Sequence, residues 1–440
     1  MMGPMKAVFR RILRPLFELQ VKRLISRRRL KVVAVGGAVG KTTTKTAITT
    51  VLAQKYRVLV HPGNYNAEIG LPLAVFKLDV PRFIINPFAW LWRLLKMEAA
   101  IWGTYPYDVV VLELGTDHPG EIPHFMTYLT PDVGVVTAVM AEHMEYFADL
   151  DAVAAEELAL VAGSRTAVVN YDAVAAPYRH QYVDSHPQHY WYGLGKRVDF
   201  GFALEHTDPA AGTSGTLLHA GKPVAKVTFG LYGQHSAAIA AAAYGVGSIL
   251  KLTPKQLATG VAAITPVSGR MNRLAGLNGS VIIDDSYNSS PDSAAAALQA
   301  LWAVDPKQCP GRRIAIMGSM NELGPGSPAY HREVGAACVG LDLLVTVGQQ
   351  ANEYLGPAAV AAGLDPRQWK SADSPYAAGE FLKLILASGD VVLAKGSQNG
   401  VFCEEAVKPI LADPADAARL VRQSPAWLRI KARQFGDAPR

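Results

Sequence analysis

The chain has 440 residues, half of them hydrophobic and 18% charged, enough for two or three domains with ordinary buried cores. Its three cysteines, Cys309, Cys338 and Cys403, are far apart and form no Cys-x-x-Cys pair, which argues against a disulfide framework or a zinc site and fits a reducing cytoplasm. The net charge of +6 is concentrated at one end: residues 1–31 hold ten Lys or Arg and one acid, Glu18, whereas the rest holds 33 basic and 36 acidic groups, so no nucleic-acid partner is expected for the body.

Residues 5–26 read as a basic amphipathic helix. Val8, Phe9, Ile12, Leu13, Leu16, Phe17, Val21 and Leu24 recur at three- and four-residue spacing, with Lys6, Arg10, Arg11, Arg14, Lys22 and Arg23 largely outside that stripe and Pro15 placed to kink it. Arginine interrupts every apolar run, so the segment is neither a spanning helix nor a signal-peptide core. Two readings stand: it lies on an anionic membrane face, or it packs on the body with its charges in water.

Lys31 to Thr50 (KVVAVGGAVGKTTTKTAITT) reads as a buried parallel strand, a glycine turn and a helix. Together these form a phosphate cradle, because N–H groups and the dipole at a helix start favour an anion. The generic eight-residue pattern has glycine where this chain has Val35, so the match is to the shorter Gly37-x-x-Gly40-Lys41-Thr42. Lys41 reaches terminal phosphates in such loops, the Thr42 hydroxyl sits on Mg²⁺, and Thr43 joins them in the first helical turn. In the turn-rich stretch His61–Gly70, Asn64, Asn66 and Glu68 either meet a substrate or cap turns. Phe83–Trp102 carries the aromatic cluster IINPFAWLWRLL, read as core, with a surface patch beside the basic helix as the alternative.

Tyr107–Gly115 (YDVVVLELG) is a second buried strand ending in Glu113, the usual place for a Mg²⁺-side carboxylate downstream of a phosphate loop. A strand over 132–139 leads to His143. In open parallel sheets ligands collect beyond the carboxyl ends of the strands, so Thr42, Glu113 and His143 are expected at one place. A helix over 149–162 carries Glu156 and Glu157, and 167–170 is a short strand. The stretch 190–230 reads as a β-rich lobe. Gly233-Gln-His235-Ser236 then precedes an alanine-rich helix. Pro266-Val-Ser-Gly-Arg270 opens the last part, where strands at 281–285, 313–317, 343–347 and 390–394 alternate with helices in a second parallel α/β unit. The tail after Asp413 reads as polar and helical, with no evident chemistry and no internal repeat.

VGGAVGKTTTK, GNYNAEIGLPL, LELGTDHPGEI, TAVMAEHMEYF, GLYGQHS, SGRMN, DDSYNSSPDS, GSMNELG, HREVG and KGSQN, in this order over residues 31 to about 410, resemble the Mur ligases, and their MurF branch most. The resemblance implies an α/β fold: residues 1–30 a basic amphipathic helix, 31–265 a central P-loop ATPase domain with a parallel sheet, and 266–440 a C-terminal Rossmann-like domain. It implies an ATP- and Mg²⁺-dependent amide ligase of peptidoglycan precursor synthesis. Such an enzyme phosphorylates a muramoyl-peptide carboxylate and lets an amino acid or dipeptide amine, D-alanyl-D-alanine in that branch, displace the phosphate.

By the same resemblance Gly37, Gly40, Lys41, Thr42 and Thr43 bind phosphates. Thr42 and Glu113 hold one Mg²⁺ and His143 a second. Arg270 reaches the phosphates from the C-terminal side, His235 lies at the nucleotide, Asp285 contacts the ribose, and Tyr287 and Asn288 sit near the nucleotide. Lys395 and Ser397 face the amine side, and Asn64 and Asn66 belong with the substrate.

This chain departs from the family pattern in three ways. Glu157 stands where the family has a carbamylated lysine supporting the second metal, and is read as its carboxylate replacement, with a solvated helix acid as the alternative. Ser236 stands where an asparagine usually contacts adenine. The family has roughly eighty residues of UDP-sugar-binding domain before the loop and this chain has 30, so either another protein supplies that grip or the acceptor is held differently; the basic helix points to a lipid-linked or membrane-proximal acceptor, with that helix as membrane contact. Two other readings remain: a folylpolyglutamate- or cyanophycin-synthetase-like paralogue using another carboxylate, and a nucleotide-binding membrane scaffold without catalysis.

Overall fold

The computed structural model describes residues 13–60, 70–81, 86–141, 144–208 and 211–436; the expectations at Asn64, Asn66, Glu68 and His143 lie outside the described residues. Two sheets organise the chain. The first has nine strands in the order β2-β3-β1-β4-β5-β6-β7-β8-β9, built from β1 (Lys31–Gly36), β2 (Val58–Val60), β3 (Val109–Glu113), β4 (Val133–Val136), β5 (Ala167–Asn170), β6 (His189–Leu194), β7 (Phe200–Asp208), β8 (Gly212–His219) and β9 (Lys222–Phe229). It is parallel from β2 to β7 and antiparallel from β7 to β9. Residues 190–230 are rich in β-strand, as read, and they extend this sheet; β6 pairs in parallel with β5 from Ala167↔His189 onward.

Successive residues of a strand face opposite sides, and β1 shows why its sequence is apolar throughout. Val32 and Ala34 enter one core and Val33 and Val35 the other. Helices cover both faces, so no position along the strand is left to water. On the first face lie α1 (Arg14–Arg28) and α4 (Pro87–Trp102), with α3 (Gly70–Val75), α5 (Glu121–Met126) and α6 (Leu150–Gly163). On the second lie α2 (Lys41–Leu52), α7 (His235–Ile249) and α8 (Pro254–Ala262). Ala240 to Ala243 of α7 are fully buried; small side chains are what let this helix lie close against its neighbours.

For its described part, the N-terminal helix takes the packed alternative. Phe17, Val21 and Leu24 of α1 are buried, and the Phe17 ring lies 5.7 Å from that of Trp90 on α4. The aromatic cluster is divided: Trp90, Met97 and Ile101 are core, and other large residues of α4 face water.

The second sheet has the order β10-β11-β15-β12-β13-β14, from β10 (Asn272–Ala275), β11 (Val281–Asp285), β12 (Arg313–Gly318), β13 (Leu343–Val347), β14 (Trp369–Ala372) and β15 (Val391–Lys395). It is parallel except for β10. Helices α9 (Pro291–Trp302), α10 (Ser327–Ala336), α11 (Gly356–Ala362) and α12 (Pro375–Ile385) flank it, and α13 (Pro425–Phe435) closes the chain. Tyr232 joins the two halves, its hydroxyl donating to Ala300 O at 2.6 Å.

Candidate active site

The loop between β1 and α2 has the shape its glycines permit. Gly37 (φ 116°) and Gly40 (φ 81°) take backbone angles that L side chains rarely adopt. A Cβ at Gly37 would also stand 2.3 Å from Thr137 Oγ1, whereas nothing lies within 4 Å of one at Gly40. The loop is thus pressed onto the β4 side at Gly37 and open above Gly40, where α2 begins with first-turn N–H groups that have no helical partner. Thr137 clamps the loop from below, its hydroxyl within reach of Val39 O (2.6 Å) and Gly36 O (3.1 Å). Asn170 holds Thr137 in turn, donating to its carbonyl at 2.9 Å.

Pairing of β1 with β3 sets Glu113 beside Val35 and so beside the first turn of α2. Thr42 Oγ1 donates to Glu113 Oε1 at 2.9 Å. Lys45 Nζ lies 2.9 Å from Glu113 Oε2, with both side chains almost fully buried. That approach is outside hydrogen-bond geometry, which leaves Oε2 buried without a hydrogen-bond donor. A hydroxyl and a carboxylate with an unsatisfied oxygen are hard oxygen donors of the kind Mg²⁺ takes, so these residues fit the implied ion. Among the described residues there is no cluster of three or more His, Cys, Asp or Glu that could hold a metal alone; Mg²⁺ in such loops is bound by one or two protein groups plus substrate phosphates.

Lys41 Nζ donates to Ala38 O at 3.1 Å, folded back on its own loop. Glu157 lies beneath that loop, fully buried, its Oε2 accepting from Gly37 N at 2.5 Å. The solvated-acid alternative for Glu157 is thereby excluded. Its neighbour Glu156 binds the loop after β3, accepting from Ile122 N (2.6 Å), Gly120 N (2.7 Å) and Thr116 Oγ1 (3.2 Å).

The second sheet contributes the opposite wall. Arg270 Nη2 comes within 3.5 Å of Thr42 Oγ1, and its guanidinium lies 4.0 Å over the Tyr287 ring. Its buried Nε has no hydrogen-bond partner. Arg422, on the segment before α13, supports Tyr287 from behind by donating to Tyr287 O (2.9 Å) and Ser286 O (2.7 Å). Asp284 ties Gly269 to Ser286, accepting from Gly269 N (3.2 Å) and Ser286 Oγ (2.5 Å). Burial raises its carboxyl pKa to about 6, against the pull of the Ser286 hydrogen bonds. Asp285 pairs with Lys395 across β11 and β15 at 2.8 Å.

Gly40, Thr43, His235, Arg270, Asp285, Asn288 and Lys395 all line one cavity of about 300 Å³ between the halves, at the small end for ligand pockets. Lys41, Thr42 and Glu113 adjoin it past Gly40, and Arg270 touches both regions. His235 opens α7 toward this cavity. The surrounding walls hold its pKa below the ordinary value, with Asp285 opposing and Lys395 adding to that shift. Ser236 turns away, its hydroxyl bound to Gly233 O and Thr213. Ser397 is not brought to the cavity wall. It is fully buried and joins two loops, donating to Ser289 O and accepting from Asn321 N. Lys395 reaches the wall, but its Nζ is held by Asp285 and Asn288 O.

Sequence reasoning missed Lys45, Thr137, Asn170 and Arg422. Lys45 lies in the loop motif one turn after Lys41, a readable signal. Arg422 lies in a tail whose local pattern carries none. No thiol competes as nucleophile: Cys309, Cys338 and Cys403 are buried and burial raises all three thiols, Cys338 to about 12.

The chain matches the sequence model of the Mur ligase middle domain over residues 96–247 and that of the Mur ligase glutamate ligase domain over 269–398. A UDP-N-acetylmuramoyl-tripeptide–D-alanyl-D-alanine ligase of Mycobacterium leprae is 29% identical over 406 residues, covering 84% of this chain and 71% of the relative. The enzyme of that name from Escherichia coli is 29% identical over 387 residues, covering 86% and 76%. In fold, the chain superimposes on MurF from Acinetobacter baumannii with a TM-score of 0.72 at 24% identity, over 91% of this chain and 79% of that one. For the ADP complex of MurF from Thermotoga maritima the TM-score is 0.69 at 23% identity, over 90% and 83%. With a phosphate loop on one sheet, an arginine reaching it from a second, and both domain matches in sequence order, this chain belongs to the Mur ligase family.

Proposed function

We propose that this chain is an ATP-dependent, ADP-forming amide ligase of peptidoglycan precursor synthesis, joining D-alanyl-D-alanine or a similar amine to a muramoyl-peptide carboxylate in the cytoplasm. The observation that carries the reading is the convergence at Thr42. The α2 start and Glu113 come from one sheet and Arg270 from the other, beside a cavity to which both contribute. Relatives alike over most of the chain carry the matching name.

A carboxylate is a poor electrophile, so the first step moves the γ-phosphoryl of ATP onto the acceptor and releases ADP. The donor amine then attacks the acyl carbon, and inorganic phosphate leaves the tetrahedral intermediate. Lys41, the first-turn N–H groups of α2 and Arg270 neutralise charge that spreads over the transferring oxygens. Thr42 and Glu113 would hold Mg²⁺, which when bound supplies electrostatic stabilisation of the phosphates. His143 is proposed for a second ion, with Glu157 in place of the family's carbamate; the buried carboxylate beneath Gly37 supports that placement. Asp285 and Asn288 are proposed for the nucleoside.

Incubation with ATP, Mg²⁺, D-alanyl-D-alanine and UDP- or lipid-linked muramoyl tripeptide should give ADP, phosphate and the pentapeptide. Lys41→Ala should lower the rate ~100-fold or more. Nucleotide release that ignores the amine would instead favour the scaffold reading, and a donor panel that selects glutamate would favour the folylpolyglutamate-synthetase-like one.

A further inference from the structure

We propose that the outward face of α4, flanked by the basic residues of α1, docks this protein on the surface of an anionic phospholipid bilayer. The proposal does not rest on the ligase reading. It moves the membrane contact from the apolar stripe of α1, much of which is spent in the core, to a neighbouring helix.

Helix α4 is apolar on two sides. Trp90, Met97 and Ile101 face inward and are buried. Phe88, Leu91, Trp92, Leu95 and Trp102 recur at helical spacing on the other side, with exposures of 77%, 53%, 57%, 52% and 61%. At 1.5 Å per residue they form a stripe roughly 20 Å long. A helix packed on one side ordinarily shows a polar face to water, and a contiguous apolar patch of this kind marks a contact surface. Leu16 and Leu19 of the neighbouring helix α1 are exposed as well.

The charge around the stripe identifies the partner. Helices α1 and α4 together carry seven Lys or Arg and two acids, Glu18 and Glu98. Both acids are already engaged: Glu18 by Arg14 and His124, Glu98 by Arg23, Gln20 and Trp102. The excess is positive and lies against the rings. The Arg27 guanidinium stands 3.7 Å over Trp102, and Lys96 Nζ is 5.6 Å from the Trp92 ring. Aromatic rings at the acyl boundary with cations at the level of the phosphates is the pattern of an interfacial helix. A second copy of this chain fits less well, because a symmetric contact would bring two positive faces together. Among the described residues no helix is long and apolar enough to cross a membrane, so the contact is peripheral.

Flotation of the full chain with vesicles tests this. Binding is expected to phosphatidylcholine vesicles containing phosphatidylglycerol, to weaken with salt, and to be poor on phosphatidylcholine alone. The variant Leu91→Ser/Trp92→Ser/Leu95→Ser should lose ~10-fold or more in partitioning with an unchanged melting midpoint and unchanged ATP turnover. Lys22→Glu/Lys96→Glu should lose binding to the anionic vesicles. Quenching of tryptophan fluorescence by brominated acyl chains should fall when Trp92 and Trp102 are replaced by Tyr. The proposal is overturned if the wild-type chain stays off anionic vesicles, or if the triple variant binds them as well as wild type. It is also overturned if the stripe variant abolishes a concentration-dependent dimer and leaves vesicle binding untouched.

Discussion

At Glu113 one carboxylate serves two neighbours, the Thr42 hydroxyl and the Lys45 ammonium. Lys45 offsets the buried charge, lying against Oε2 outside hydrogen-bond geometry. Glu113→Gln keeps the shape and removes the charge, so kcat should fall ~100-fold and the Mg²⁺ concentration for half-activity should rise. Glu157 allows a similar separation. In a Glu157→Gln variant the side-chain amide oxygen can still accept from Gly37 N–H, so a mere loop tie would survive. Strong loss of activity at unchanged melting temperature is expected, with partial rescue by bicarbonate in Glu157→Lys; wild-type rates in the Gln variant would reject a role for the charge.

Asp284 gives a pH signature at the same scale. Its folded pKa, about 6, lies above the ordinary 3.8, so the unfolded chain ionises first. The stability it contributes is complete below about pH 4 and is lost as the pH rises through 6, about 3 kcal/mol at most. Urea unfolding of Asp284→Asn should show a stability gain over wild type that opens across that window. A constant difference between the two proteins at every pH would contradict it.

At the scale of elements, the sequence was most readable where a strand feeds a loop. The apolar runs of β1 and β3 and the glycines between β1 and α2 have a local physical cause, two-sided burial and positive φ, and local causes leave local signatures. Arg270 and Asp285, singled out by the family motifs for the phosphates and the ribose, both line the cavity. Long-range pairing was illegible. Nothing between Tyr190 and Gly230 tells a detached lobe from an extension of the first sheet, since the parallel contact of β6 with β5 depends on residues about twenty positions away. Ser397 carried family weight yet became a buried tie. The tail is helical over Pro425–Phe435, as its pattern reads, but that pattern does not show that α13 inserts Lys431 between Glu404 (2.8 Å) and Glu405 (2.6 Å), all three buried. Arg422 shares Glu404 and carries the Tyr287 backbone. Removing one partner of a buried pair strands the other charge. Lys431→Met should therefore destabilise by ~3–5 kcal/mol in chemical denaturation and raise the KM for ATP through Arg422 and Tyr287. A change under ~1 kcal/mol would mean the cluster is solvated.

At the scale of the whole molecule, two α/β sheets present loops to one cavity, with the glycine loop on one and Arg270 on the other. The division into units of 31–265 and 266–440 is proposed on that basis, with the link running through the segment before Arg270. Arg270 of the second half already stands 3.5 Å from Thr42 Oγ1 of the first, so both halves are proposed to act on the phosphates together. The central claim is that an acid is activated by phosphorylation and then captured by an amine. It is tested most directly by following the oxygen atoms. With the acceptor carboxylate labelled in ¹⁸O, each amide formed should release one inorganic phosphate carrying a single ¹⁸O, together with ADP. Unlabelled phosphate, or AMP and pyrophosphate as products, would contradict the account.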